Sequence, residues 1–264
     1  SYFDGQYFHN GEIVPAKGFC TDVFFEKAND FIKEAAKKDE PFLAYISLNA
    51  PHGPLHCPKK YMDLYKDQKP NVAAFFGMIS NIDENVGATR KLLSDLGIAD
   101  NTIFIFTTDN GTAGGEKIHN AGMKGKKGSP YDGGHRVPMF IHWPAGGLTE
   151  HRQIDTLTHA IDFVPTLMEV CKVPNTAEVK FDGTSLKALL DPKTDVEWPH
   201  RFIITDSQRV VDPQKWRGSA VMSQQYRLIN GKELYDIKAD PGQAKNIAKS
   251  SPDQVKKMRD FYDA

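Results

Sequence analysis

The chain of 264 residues predicts a doubly wound α/β layer followed by a small antiparallel α+β unit. Two short apolar runs, at 41–48 and 103–107, have the length and composition of strands buried in a parallel sheet. A long amphipathic pattern at 72–96 lies between them, giving the strand–helix–strand rhythm of an α/β layer. Beyond about residue 195 the pattern changes to short β-rich runs around Asn230-Gly231, a hairpin turn signal.

The elements follow in order. Thr21 or Asp22 is placed to cap a helix running to about Lys38. Phe24, Phe25, Ala28, Phe31, Ile32 and Ala35 fall at helical spacing, and the lysines fall late, where the helix dipole favours them. The strand at 41–48 ends in Asn49-Ala50-Pro51-His52-Gly53-Pro54, which continues neither helix nor strand. Phe75, Ile79, Ile82, Val86, Leu93 and Leu96 stripe the helix at 72–96, and Gly97 suits its C-cap. The strand at 103–107 stops at Asp109-Asn110-Gly111. A glycine-rich loop occupies 112–134, a length that is usually functional or disordered. A third strand at 137–143, with Pro138 near its start, and a helix at 162–171 complete the layer. The tail carries strands at 201–205, 220–228 and 233–237 and a terminal helix at 252–262. The predicted domains are 1–195 and 196–264.

Composition narrows the function classes. The formal net charge of -1 asks for neither nucleic acid nor an anionic membrane surface, and no run is long and apolar enough to span a bilayer. Three scattered cysteines make neither a disulfide framework nor a zinc site. The start at Ser1-Tyr2-Phe3 is not a signal peptide and suggests a mature or trimmed product.

Candidate chemistry collects at the carboxyl ends of strands, where open α/β sheets hold ligands. Asp109 and Asn110 both offer oxygens, which suit calcium or magnesium; Asp-Asn-Gly is equally a turn sequence. His52, just beyond the first strand, is either a reacting-centre group or a turn histidine. In Lys124-Gly125-Lys126-Lys127-Gly128-Ser129 a lysine flanked by glycines can reach an oxyanion while the backbone comes close. A solvated basic loop has the same composition. His119 and His135 flank this loop. Substrate selection falls to loops around the site, here Glu116, Lys117 and His119 and the tail segment 208–217. Trp216-Arg217 offers an aromatic, cationic platform for a sugar ring, with a packed Trp at the domain join as its alternative.

Taken in order, Pro51-His52-Gly53-Pro54, Thr108-Asp109-Asn110-Gly111, Gly125-Lys126-Lys127-Gly128-Ser129 and Tyr131-Asp132-Gly133-Gly134-His135-Arg136-Val137-Pro138 resemble the sulfatase family of the alkaline phosphatase superfamily. Asp191-Pro192, Glu233-Leu234-Tyr235-Asp236-Ile237 and Asp240-Pro241 extend the likeness through the tail. The resemblance implies the C-terminal half of an alkaline-phosphatase-like doubly wound sheet with a small C-terminal α+β subdomain, and hydrolysis of sulfate esters of sugars or aryl groups. It implies that Asp109 and Asn110 are calcium ligands, with magnesium as the alternative ion. It makes His52 the histidine that contacts the ester and activates or protonates at the reacting centre, and Lys127 the lysine that holds the sulfate. Lys126, His119, Trp216 and Arg217 are the candidate substrate contacts. The physics agrees: sulfuryl transfer, like phosphoryl transfer, depends on positioning and charge stabilisation.

The family's nucleophile is a formylglycine made from cysteine in a Cys-x-Pro-Ser-Arg motif. Here Cys20 precedes Thr21-Asp22, Cys57 precedes Pro58-Lys59 and Cys171 precedes Lys172-Val173, so none fits. The family's upstream Asp-Asp calcium pair and its Gly-Lys-Trp-His-like segment have no match either. The expectation is therefore a C-terminal portion of a sulfatase, inactive alone. A bare sheet edge and apolar face would lead it to self-associate or to pair with the N-terminal part. The implied partner is a sulfated small molecule or glycan, without nucleic acid or membrane. The implied location is periplasmic, secreted or lysosome-like. A phosphodiesterase or phosphonate hydrolase of the same superfamily is one alternative. A non-catalytic module gripping sulfated glycans through Lys124, Lys126 and Lys127 is the other.

Overall fold

Residues 1–191 and 198–264 are described by the computed structural model, and they form two compact units, Ser1–Thr102 and Ile103–Ala264. The domain join predicted at 195 lies among residues 192–197, outside the described ones, as does Pro192 of the Asp191-Pro192 pair.

The first unit opens with a hairpin absent from the predicted elements. Strands β1 (Gln6–His9) and β2 (Glu12–Pro15) pair antiparallel through Asn10-Gly11, both at positive φ. That is the geometry an Asn-Gly hairpin turn requires. Helix α1 (Cys20–Lys37) starts two or three residues earlier than a cap at Thr21 or Asp22 predicts. Its N-cap is Phe19, and no side chain caps it. Asp22 is not the cap: its carboxylate accepts hydrogen bonds from Asn81 (2.7 Å) and Asn85 (2.8 Å) across the helix pair. After the one-turn helix α2 (Lys59–Met62) comes α3 (Pro70–Asp95), which begins on Pro70, as a first-turn proline allows. It ends where Gly97 takes a φ of 70° and Ile98 N–H donates to Leu93 O, the hydrogen-bonded stop expected of a glycine at this place. Phe25, Ile32, Met78, Ile82 and Leu93 are among the buried apolar residues of α1 and α3, and Thr89 Oγ1 donates to Asn29 Oδ1 beside them.

The predicted strand at 41–48 forms no ladder among the described residues. Its residues alternate between half-buried and exposed, with Leu43 77% and Tyr45 88% exposed. The alternation is that of a strand, so the composition signal is real. What is absent is a neighbour to pair with, and a strand is defined by its neighbours.

In the second unit, β3 (Phe104–Thr107) precedes the one-turn helix α4 (Asp132–His135) and strand β4 (Met139–His142). The expectation of a doubly buried strand in a parallel ladder is corrected here. β3 is half-buried and pairs antiparallel with β4, Phe104 opposite His142 and Thr107 opposite Met139. Helices α5 (Phe163–Val170) and α6 (Lys187–Leu190) follow. Beside α5, Asp162 is fully buried. Its carboxylate takes two hydrogen bonds from Arg201, at 2.7 and 2.5 Å, and two from the backbone of His159 and Thr184. Burial alone would raise the Asp162 pKa, but these donors hold it below its ordinary value.

The tail is a four-stranded antiparallel meander of β5 (Ile203–Asp206), β6 (Ser219–Met222), β7 (Tyr226–Ile229) and β8 (Glu233–Asp236), closed by α7 (Pro252–Asp263). The single run predicted at 220–228 is two strands, because Ser223-Gln224-Gln225 turns the chain between them. Val221, Leu228 and Leu234 face Met258 of α7 on one side of the sheet. Ile203, Ala220, Met222, Ile229 and Tyr235 pack with Tyr131 and Leu157 on the other. Among the described residues, no helix is long and apolar enough to cross a membrane.

Candidate functional site

Backbone crossings shape the loop after β3. Gly111 N–H donates to Gly134 O at 2.9 Å, and a Cβ on Gly111 would lie 1.9 Å from Gly133 O, so only glycine fits where these strands of chain meet. Lys127 N–H donates to Thr112 O, Gly133 N–H to Lys124 O, and Asn120 Nδ2 to the carbonyls of Met123 and Gly125. Gly125 holds a φ of 83° to make the bend. The long loop is thus folded against itself, and Lys127 is held beside the Asp109-Asn110-Gly111 corner.

At that corner Asp109 is exposed, and Asn110 Nδ2 donates to Asp109 Oδ1 at 2.8 Å. This orients the amide so that Asn110 Oδ1 and Asp109 Oδ2 have no hydrogen-bond partner among the described residues. Two free oxygens on adjacent residues suit a hard cation by type, but calcium takes six to eight. Among the described residues, no group of three or more His, Cys, Asp or Glu gathers as a metal site.

Asn110 and Lys127 line one cavity of about 520 Å³, together with Ser129, His135, Asp206 and Arg209. Lys127 is half-buried and has no ion pair among the described residues. Its neighbour Lys126 is exposed and sits 3.6 Å from Glu116. Burial lowers the His135 pKa against the opposing pull of Asp132, and its Nε2 lies 3.1 Å from Pro130 O. Behind the cavity, Asp132 is fully buried and accepts a 3.0 Å hydrogen bond from Arg227 Nε of β7. Its backbone N–H donates to Gln243. These two ties fasten the site loop to the tail sheet.

His52 belongs to the first unit. Tyr2 O–H donates to the carbonyls of Asn49 and His52, fixing the turn. The ring's Nδ1 lies 2.7 Å from Gly53 O. With Nδ1 donating there, Nε2 is the nitrogen left to exchange a proton.

Three of the predicted substrate contacts take different places from those expected. Trp216 stacks on Tyr262 with centroids 3.8 Å apart and lies under Arg259, packed on the α7 side of the sheet, and it does not line the cavity. Neither exposed Arg217 nor exposed His119 lines the cavity. Lys124 also leaves the basic-loop picture. Its ammonium donates to Tyr235 O–H at 3.0 Å and sits over the rings of Tyr131 and Tyr235, at 4.3 and 4.9 Å. Asp206 and Ser207 line the cavity but are absent from the predicted site, because they end a strand of the antiparallel tail sheet, which the α/β rule that singles out Asp109 does not cover.

Comparison with known proteins places this arrangement. The family model described as Sulfatase matches residues 3–173, and the one described as N-sulphoglucosamine sulphohydrolase, C-terminal, matches 126–260. The uncharacterized sulfatase YdeN of Escherichia coli (strain K12) is 33% identical over 197 residues, which is 74% of this chain and 35% of that protein. An arylsulfatase of Clostridium perfringens (strain 13 / Type A) is 28% identical over 278 residues, 87% of this chain and 54% of that protein. The crystal structure of Ps i-CgsB in complex with k-i-k-neocarrahexaose superposes with a TM-score of 0.82 at 25% identity, over 96% of this chain and 57% of that one. The chain thus spans between about a third and about a half of the length of these curated relatives. Its α/β fold with a small antiparallel C-terminal sheet is that of the alkaline phosphatase superfamily, and the chain belongs to the sulfatase family.

Proposed function

We propose that this chain supplies the sulfate-holding side of a sulfuric ester hydrolase acting on sulfated sugars or aryl sulfates. The observation that carries the reading is the shared cavity of Asn110 and Lys127, with the Lys127 ammonium unpaired among the described residues. An unpaired cation on a concave polar wall attracts an oxyanion and gains most as the ester's charge shifts onto its oxygens. Asp109 and Asn110 would hold the cation, calcium or magnesium, whose positive charge supports those same oxygens. The family resemblance gives His52 of the first unit a proton-transfer role, and its Nδ1 contact to Gly53 leaves Nε2 open for it.

This polypeptide holds no Cys-x-Pro-Ser-Arg segment, the source of the family's formylglycine, so it does not turn over alone. Its partners in this reading are the N-terminal part of the same protein, which would carry that segment, and a sulfated glycan or small molecule. Its working place is periplasmic, secreted or lysosome-like.

Calorimetric titration with p-nitrophenyl sulfate tests the proposal. Lys127→Ala weakens binding about tenfold or more, the scale of one charge-assisted hydrogen bond, while Lys126→Ala leaves it unchanged. Equal losses from the two lysines, or none, overturn the assignment. Robust sulfatase turnover by this polypeptide alone overturns the incompetence.

A further inference from the structure

Most cations around the site already have partners. Lys124 is tied to Tyr235, Lys126 is paired with Glu116, Arg201 with Asp162 and Arg227 with Asp132. Two that line the cavity do not: Lys127, from the loop after β3, and Arg209, from the segment after β5. Neither has an ion pair or side-chain hydrogen bond among the described residues. They come from separate stretches of the unit's sequence and converge on one space. The same cavity is lined by Asn110, Ser129, Asp206 and Ser207, which offer donors and acceptors of the kind that hydroxyl groups use. The Asp206 carboxylate accepts from Gln208 Nε2 (3.2 Å) and Tyr262 O–H (3.5 Å), and it makes no ion pair with Arg209 among the described residues. A space of about 520 Å³ falls within the range of small-ligand sites and exceeds what one sulfate group fills.

Resting on the sulfate-ester reading of this cavity, the geometry points to a substrate with two anionic groups. One is the sulfate ester held at Lys127. The other is a second oxyanion on the same saccharide, a further sulfate or a uronate carboxylate, taken by Arg209. The guanidinium's planar fork matches either anion with paired hydrogen bonds, which an ammonium cannot do. Arg209 is then a specificity-determining residue that separates polyanionic saccharides from simple aryl sulfates. The hydroxyls between the two anions meet Asp206 and Ser207.

The test is direct binding to this chain by calorimetry at fixed salt. The probes are glucosamine 2-N,6-O-disulfate, glucosamine 6-sulfate, a singly sulfated disaccharide with a glucuronate, and p-nitrophenyl sulfate. The doubly anionic probes bind about tenfold or more tighter than the singly charged ones, the scale of one charge-assisted contact. Arg209→Ala removes that preference and leaves p-nitrophenyl sulfate affinity as it was, and Arg209→Lys restores only part of it. If the preference favours the disulfate but not the glucuronate probe, or the reverse, the second anion is identified. Equal affinities for all four probes, or a preference that survives Arg209→Ala, overturn the inference while Lys127-dependent binding still stands. If no sulfated probe binds and Lys127→Ala changes nothing, the sulfate-ester reading fails, and this inference fails with it.

Discussion

Among the ties between the site loop and the tail is one buried ion pair, and removing either partner should cost far more than removing a surface pair. Asp132 is fully buried and Arg227 is 6% exposed, with Nε 3.0 Å from Oδ1. In Asp132→Ala the guanidinium keeps its hydrogen bonds to the carbonyls of Ser223 and Tyr226 and so stays inside, a positive charge without its counterion. In Arg227→Met the carboxylate is left, among the described residues, with Arg136 at 4.0 Å as its ion-pair partner. Each single substitution is expected to cost about 3–5 kcal/mol, the usual penalty for a stranded buried charge. The double substitution strands neither group, so it should cost less than the sum of the singles by about 2 kcal/mol. All three tryptophans, Trp143, Trp198 and Trp216, lie in residues 103–264, so urea unfolding followed by tryptophan fluorescence reads this unit alone. Lys256→Ala, which breaks an exposed pair with Asp260 in the same unit, serves as the control and should barely move the transition. Single losses below about 1 kcal/mol, or strict additivity in the double, would refute the claim that the charges are desolvated and coupled. Asp132→Ala should also weaken p-nitrophenyl sulfate binding, because Lys127 belongs to the loop that this pair fastens.

Three further outcomes are expected. Burial lowers the pKa of both His135 and His159, so as pH falls the unfolded chain takes up protons before the folded one. The unit's stability is therefore full above the ordinary histidine value of about 6.5 and declines as pH drops from there through the depressed folded values. Urea midpoints across that range measure it, and a double His135→Gln, His159→Gln variant should show a flatter decline; an unchanged slope counts against it. Trp216→Ala removes a packed indole and should destabilise the unit by about 3 kcal/mol while the preference among sulfated sugars stays the same; a changed preference would restore the sugar-platform role. The exposed Leu43 and Tyr45 form an apolar edge that should drive concentration-dependent association in sedimentation. A Leu43→Ser, Tyr45→Ser variant should sediment as a monomer, and a wild-type chain monomeric at every concentration would sink the idea.

Much of the fold is legible in the sequence because local signals agree with one another. Helix α3 is marked by its apolar stripe and by Gly97, and both operate within a few residues of chain. The tail hairpin is marked by Asn230-Gly231, and both residues take positive φ. The same dipeptide at Asn10-Gly11 carries an equal signal, but the strands it joins are mostly exposed, whereas those of the tail hairpin carry buried Leu228, Ile229, Leu234 and Tyr235. What fails depends on partners distant in sequence. Residues 41–48 have a strand's composition but no ladder among the described residues, and β3 reads the same whether its neighbour runs parallel or antiparallel. Asp22 resembles a cap because caps are local, yet its partners are 59 and 63 residues away.

The three lysines of the glycine-rich loop show why a motif locates chemistry without assigning it. Composition treats Lys124, Lys126 and Lys127 alike, since each is a flexible cation beside a glycine or a second lysine. Their fates are set by groups that no short window contains. Tyr131 and Tyr235 draw Lys124 into the tail sheet, Glu116 holds Lys126 at the surface, and Lys127 has no side-chain partner among the described residues and lines the cavity wall. Committing two cations to structure and a surface pair concentrates the positive field on the third. The positive-φ glycines and the Asp132–Arg227 tie, by folding the loop back on itself, determine which lysine that is. By the same logic a substitution in the loop's support, remote from any ligand, should redirect the chemistry more than one at exposed Lys126.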